Sequence, residues 1–95
     1  MIVDKNYGVH DTITVKTAAG EEIVGRFISE DATTITLKKV MSLVASQQGV
    51  GLGQFAFTIH PDVSLTLNKH SILFICRTDS EMAKQYISST TGIQL

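Results

Sequence analysis

Lys69 and His70 set a full positive charge beside a titratable ring, in a short stretch flanked by two strand-like segments. That pairing suits contact with a phosphate-bearing ligand. The plainer alternative is a solvated turn lysine beside a histidine that merely packs. Asp31, within Glu30-Asp31-Ala32-Thr33, carries a short carboxylate that can accept hydrogen bonds from turn amides, so its types and spacing favour an organising role over ligand contact. Lys38-Lys39 together with Arg77 would give a second basic patch able to reach phosphates without reading bases. Alternatively, Lys38-Lys39 is a charged strand edge that discourages unwanted pairing.

Other chemistry is excluded by context. Gly49-Val50-Gly51-Leu52-Gly53 has the look of a phosphate-cradling loop, but such loops need a strand before and a helix after, and this one lies between strand-like segments. His10-Asp11, His60-Pro61-Asp62 and His70 have no metal-ligand spacing, and the single Cys76 sits in an apolar run where a thiol behaves as a small hydrophobe. No metal site and no cofactor are expected. The serines have no positioned base and no paired carboxylates beside them, so no catalytic activity is expected either.

The elements that must hold these residues are mainly β. Thr12-Ile13-Thr14-Val15-Lys16-Thr17 alternates apolar and polar, and Ala18-Ala19-Gly20-Glu21 supplies a turn. Glu22-Ile23-Val24-Gly25-Arg26-Phe27-Ile28 resumes the alternation, with Gly25 mid-strand marking a sharp bend or close approach. A third strand starts at Thr34-Ile35-Thr36-Leu37, and its phase breaks at Lys38-Lys39, which predicts a bulge or edge. The stretch from Ala45 to Gln54, with three glycines, reads as a mobile hairpin loop. Phe55 to Leu67 reads as one long fourth strand bent at Pro61. After a short turn at Asn68-Lys69-His70-Ser71, the run Ile72-Leu73-Phe74-Ile75-Cys76 is apolar on both faces and predicts a strand buried on two sides. Asp79-Ser80-Glu81 caps a helix over about 80–88, with Met82, Ala83, Tyr86 and Ile87 on one face. Thr90 to Leu95 has no periodicity and is expected to fray.

With 95 residues, 43% hydrophobic and 18% charged, the chain holds one domain and one small core. A domain of this size buries only about 60–65% of its unfolded surface and profits from outside support. One cysteine rules out an internal disulfide, which leaves self-association. A formal net charge of −1 makes bulk capture of nucleic acid unexpected, so any polyanion site must be local. No apolar run has the length of a membrane-spanning helix, and Met1-Ile2-Val3-Asp4 lacks the order of a secretory leader. A protein of a reducing cytoplasm, away from membranes, is expected.

Five short strands in a meander with closure inside 12–76 describe a mainly β, five-stranded, strongly bent antiparallel barrel, followed by a C-terminal α-helix and preceded by no helix. The spacing Gly20, Gly25, Asp31, with Ile23, Phe27, Ile35 and Leu37 between and after, resembles the first motif of the Sm, LSm and Hfq proteins. Asn68-Lys69-His70-Ser71-Ile72 is similar to the Hfq version of the second motif, which carries Lys-His between the fourth and fifth strands. A rival register at Ile75-Cys76-Arg77 would leave only a helical segment and a polar tail after it, with no fifth strand.

This resemblance implies an Sm-like domain that assembles into a homo-oligomeric ring through its barrel edges. Lys69 and His70 would recur once per subunit around the pore and bind single-stranded RNA, with Gly20, Gly25 and Asp31 in structural roles. The chain departs from the family pattern at Thr33, where RNA-binding members usually place a base-stacking residue, at Ile35, where Sm and LSm proteins carry asparagine, and at Asn68, where Hfq tends to an aromatic. Without the stacking group, a contribution of about 1–3 kcal/mol per base is missing. A second reading follows: a ring that serves as a structural or protein-interaction scaffold, its C-terminal helix offering the contact surface. Either reading places the protein in the cytoplasm of a prokaryotic cell or of a virus-infected host cell.

Overall fold

Ile13, Val15, Ile23, Phe27, Ile35 and Leu37 are the apolar members of three alternating stretches, and all are buried in one cluster completed by Ile72 and Ile75. Because successive side chains on a strand point to opposite faces, that shared burial fixes the register of every strand that supplies them. The computed structural model describes residues 2–3 and 6–90. Its strands are β1 (Ile2–Val3), β2 (Thr12–Thr17), β3 (Glu22–Glu30), β4 (Thr34–Ser46), β5 (Gly49–Gln54), β6 (Ser64–Asn68) and β7 (Ile72–Arg77), and a single helix, α1 (Ser80–Thr90), follows. The sheet runs β1-β7-β2-β3-β4-β5, with β6 also paired to β4. All neighbours are antiparallel except β1, which lies parallel to β7. The architecture is the expected mainly β, bent antiparallel sheet with a C-terminal helix, but it has seven strands among the described residues rather than five, β1 and β5 being the additions.

The bend is built by bulges. Arg26 pairs with Lys38 and Val24 with Met41, so Lys39 and Val40 together face Gly25. Lys39 takes the left-handed φ of 54° that such an extra residue adopts. A Cβ on Gly25 would meet the Leu37 Cβ at 3.2 Å and Val40 Cγ2 at 3.4 Å, so glycine is what lets β4 cross so close. A second extra residue, Ile28, falls between the Phe27–Leu37 and Ser29–Thr36 pairs, and a third, Leu73, sits on β7 between its pairings with Thr17 and Lys16. The phase break read at Lys38-Lys39 is therefore the main bulge of the barrel.

Helix α1 closes over that bulge. The Asp79 carboxylate accepts from the Glu81 amide at 3.1 Å, and its carbonyl from Ala83 at 2.8 Å, which starts the helix. Tyr86, fully buried, donates its hydroxyl to the carbonyls of Lys39 (2.7 Å) and Lys38 (3.2 Å). In return Lys39 Nζ donates to the Thr90 carbonyl at 2.9 Å, where the last turn leaves acceptors unpaired. The helix ends at Thr90 rather than near residue 88. Residues 91–95, read as fraying, lie outside the described residues.

Two segments differ from the sequence reading. Ala45 to Gln54 is the tip of a regular hairpin: β4 and β5 pair from Met41–Gln54 to Ser46–Gly49 around a two-residue turn. Gly49 supplies a φ of 117° there, and Gly53 makes room for Val44 Cγ2, which a Cβ would meet at 3.2 Å. The glycines thus serve the hairpin instead of loosening it. The long fourth strand from Phe55 to Leu67 reduces to β6, Ser64–Asn68. One edge of β4 carries β6 along Thr34–Lys38 and β5 along Met41–Ser46, so no edge remains for the connecting segment 55–63, and Pro61 could not donate to one.

Candidate nucleic-acid interface

Asp31 organises the turn between β3 and β4. Its Oδ1 accepts from the Thr34 amide (2.8 Å), the Thr33 amide (2.9 Å) and the Thr34 hydroxyl (3.1 Å). The Asp31 amide returns a bond to the Thr34 carbonyl at 2.9 Å. The Thr33 amide first, and then that of Thr34, hold the carboxyl below its ordinary carboxylate value, because both bonds favour the ionised form. Asp31 therefore shapes a turn, the role its type and position favoured.

The second turn, Lys69–Ser71, is a single 3₁₀ turn capped by Asn68, whose Oδ1 accepts from the His70 amide at 2.8 Å. The two turns are joined at the backbone, since the Lys69 amide donates to the Thr33 carbonyl at 2.8 Å. They are joined again by the Lys69 side chain, whose Nζ lies 2.8 Å from Glu30 Oε1 and 2.6 Å from the Asp31 carbonyl. Both side chains of the ion pair are largely out of solvent, at 13% exposure for Lys69 and 11% for Glu30. The other Glu30 oxygen accepts from the Tyr7 hydroxyl at 3.1 Å, and the Tyr7 ring stands edge-on to Phe27, 4.9 Å between centroids. A third turn joins in: the Ala18 amide donates to the Ser71 carbonyl at 2.8 Å, next to Gly20 with its φ of 101°.

The structure thus brings Lys69 to Asp31 and Thr33 at one end of the barrel, although the sequence places it far from both. Lys69 meets Glu30 and the Asp31 carbonyl with its ammonium, while His70, Thr33 and Asn68 are exposed. Sequence reasoning missed Glu30 as the partner of Lys69. The signal available was weak: an acidic residue closing one strand of a motif and a lysine opening the turn of another. The second basic patch is differently engaged. Lys39 also approaches Asp62 at 3.6 Å, and Arg77 donates to the Asn6 carbonyl at 3.2 Å and lies 3.9 Å from Asp11. Among the described residues no three His, Cys, Asp or Glu side chains converge on one point.

With strand order, bulge and turn contacts established, comparison with solved structures is decisive for the fold. The chain superposes on a heptameric archaeal Sm protein with a TM-score of 0.52, covering 75% of this chain and 90% of that one, at 17% sequence identity. This chain has the Sm fold. No family model matches its sequence, and no curated protein does. Gly20 lies in the turn before β3, Gly25 in β3 at the bulge, Asp31 in the β3–β4 turn and Lys69-His70 between β6 and β7.

Proposed function

We propose that the protein is a ring-forming Sm-like protein that binds single-stranded RNA at a site repeated once per subunit, formed by the β3–β4 turn and the Lys69–Ser71 turn. The observation that carries this reading is the junction of the two turns through Lys69, which sets His70, Thr33 and Asn68 side by side and exposed. Copies of that face around a pore would offer an imidazole, a hydroxyl and an amide to each nucleotide. His70 is the base-contacting group in this reading, and Lys69 holds the two turns in place while adding its field from behind. The solved Sm neighbour is heptameric. The barrel's own terminal edges are the means by which this chain would close a ring: the outer edge of β6 carries no strand among the described residues, and that of β7 carries only β1, at Phe74 and Ile75. The reading involves no catalytic step. Among the described residues no helix is long and apolar enough to cross a membrane, and we place the protein in the cytoplasm.

Two observations favour the scaffold alternative. Neutralisation of Lys69 by Glu30 and the absence of a π-face at Thr33 both weaken phosphate and base contact. Fluorescence anisotropy against oligouridine and oligoadenine, at low and near-physiological salt, decides between the two. Saturable binding at micromolar concentration that weakens with salt supports the RNA reading. No binding at either salt makes the scaffold the leading reading, and protein partners of the outer face of α1, where Ile87 is exposed, become the targets.

A further inference from the structure

No Asp, Glu, Lys or Arg occurs between Lys39 and Asp62, although the chain holds 8 basic and 9 acidic residues elsewhere. The β4–β5 hairpin lies in that stretch. Its paired residues place Met41, Leu43, Ala45, Val50 and Leu52 on one face, and Ser42, Val44, Ser46 and three glycines on the other. Among the described residues, its outer edges carry no strand beyond Ser42. On its far side β4 pairs with β3 only as far as Ser42, which leaves Leu43–Ser46 without a neighbour there, and no described strand pairs with β5 beyond β4. Counting from the Ser46–Gly49 pair that closes the two-residue turn, the backbone amides of Val50 and Leu52 point away from β4, as those of Leu43 and Ala45 point away from β5.

A two-stranded ribbon of this kind is marginal in water by itself. Soluble proteins guard such edges with lysine, proline or inward charge. Here none of these guards is present in the hairpin from Met41 to Gln54, and Val44 and Val50 are each about half exposed, at 53% and 52%. A lipid occupant is disfavoured by length: strands of 6 residues span about 20 Å, whereas membrane barrels use roughly 9–11 residues per strand. A second copy fits. The bare edge of β5 and the bare upper edge of β4 run antiparallel, so the hairpin of one subunit can pair with that of the next exactly as its own strands pair, and the pattern can continue around a closed assembly.

We propose that the β4–β5 hairpin is an assembly surface whose occupant is the same hairpin of a second copy of this chain, with β5 of one subunit adding edge to edge onto Leu43–Ser46 of its neighbour. The hairpins of an oligomer then form one continuous uncharged β collar beside the barrels. This goes beyond RNA binding and does not depend on it.

The test is the oligomeric mass of the full chain by light scattering at micromolar concentration, together with amide hydrogen exchange read residue by residue. The expected result is an assembled protein in which the Val50 and Leu52 amides exchange at least roughly tenfold more slowly than free amides. Leu52→Pro removes an outward donor without touching the bonds to β4, and Val50→Lys places a charge at a half-exposed position; each should lower the assembled mass while thermal unfolding shows a folded barrel. An assembled wild-type protein whose Val50 and Leu52 amides exchange freely overturns the hairpin contact and leaves ring formation through the barrel edges standing. A wild-type protein that is monomeric throughout overturns both. Unchanged mass in Val50→Lys, the variant least able to disturb the fold, also overturns the hairpin contact.

Discussion

The ammonium of Lys69 sits 2.8 Å from a carboxylate oxygen of Glu30, and the pair closes the two turns of the candidate site against each other. Removing one member of a nearly buried pair leaves the other charged and uncompensated. Lys69→Met should therefore destabilise the fold by about 2–4 kcal/mol, lowering Tm by roughly 10 °C or more. His70→Ala, at an exposed position, should stay within about 0.5 kcal/mol of wild type and yet weaken the proposed RNA binding. Denaturant unfolding and anisotropy on both variants separate the two roles. A Lys69→Met protein as stable as wild type would show that the ion pair does not hold the turns.

Asp31 gives the site a pH dependence. Its carboxyl is held below the ordinary carboxylate value of about 3.9 by the Thr33 and Thr34 amides. The folded state thus binds the proton less readily than the unfolded state, and the stabilisation is complete above the unfolded value and lost as pH falls through the folded one. The gap in urea midpoint between wild type and Asp31→Ala should be constant from pH 7 to 5 and shrink below about pH 4. A gap that stays constant to pH 2 would mean the turn is held by other bonds.

Tyr86 ties α1 to the barrel by a different balance. Burial pushes its hydroxyl up to about 12, against the smaller opposing effect of Arg26. Because the unfolded chain ionises first, near pH 10, this contribution is present below that value and falls as pH rises from 10 toward 12. Tyr86→Phe keeps the ring but leaves the Lys38 and Lys39 carbonyls without their donor, at a cost of about 1–3 kcal/mol. Ultraviolet titration should show a tyrosine ionising near pH 12 in wild type, and that ionisation should be lost in Tyr86→Phe. A single ordinary titration in wild type would show that the helix does not cover the bulge.

The barrel was legible because its core residues alternate. Ile13, Val15, Ile23, Phe27, Ile35 and Leu37 announce strands wherever they occur, and period two admits no other element. The break at Lys38-Lys39 was legible for the same reason, as a lost phase. Pairing was not. Alternation in Phe55 to Ile59 has the same pattern as a strand, and only the occupied edge of β4 shows that no strand can form there. Glycines at 49, 51 and 53 carry two opposite meanings, and φ at Gly49 with the close approach at Gly53 decides for the hairpin. In the site, the adjacency of Lys69 and His70 was plain, but the Glu30 partner that occupies Lys69 comes from tertiary contact, which a local pattern does not encode.

In a ring closed through the barrel edges, β1 and a neighbouring subunit would compete for one edge. Ile2 and Val3 pair with Phe74 and Ile75 on the side of β7 away from β2, and that side is the one a neighbour's β6 would need in a ring closed through the barrels. Two residues of parallel pairing are a weak hold, since strands of three or more residues are the usual minimum. A chain that begins at Asn6 after an initiator methionine should therefore assemble at lower concentration than wild type. Light scattering over a dilution series reads this directly, and amide exchange at Phe74 and Ile75 reports whether the freed edge is taken up again. If truncation leaves the assembly midpoint unchanged, β1 is no competitor, and the subunits meet on another edge.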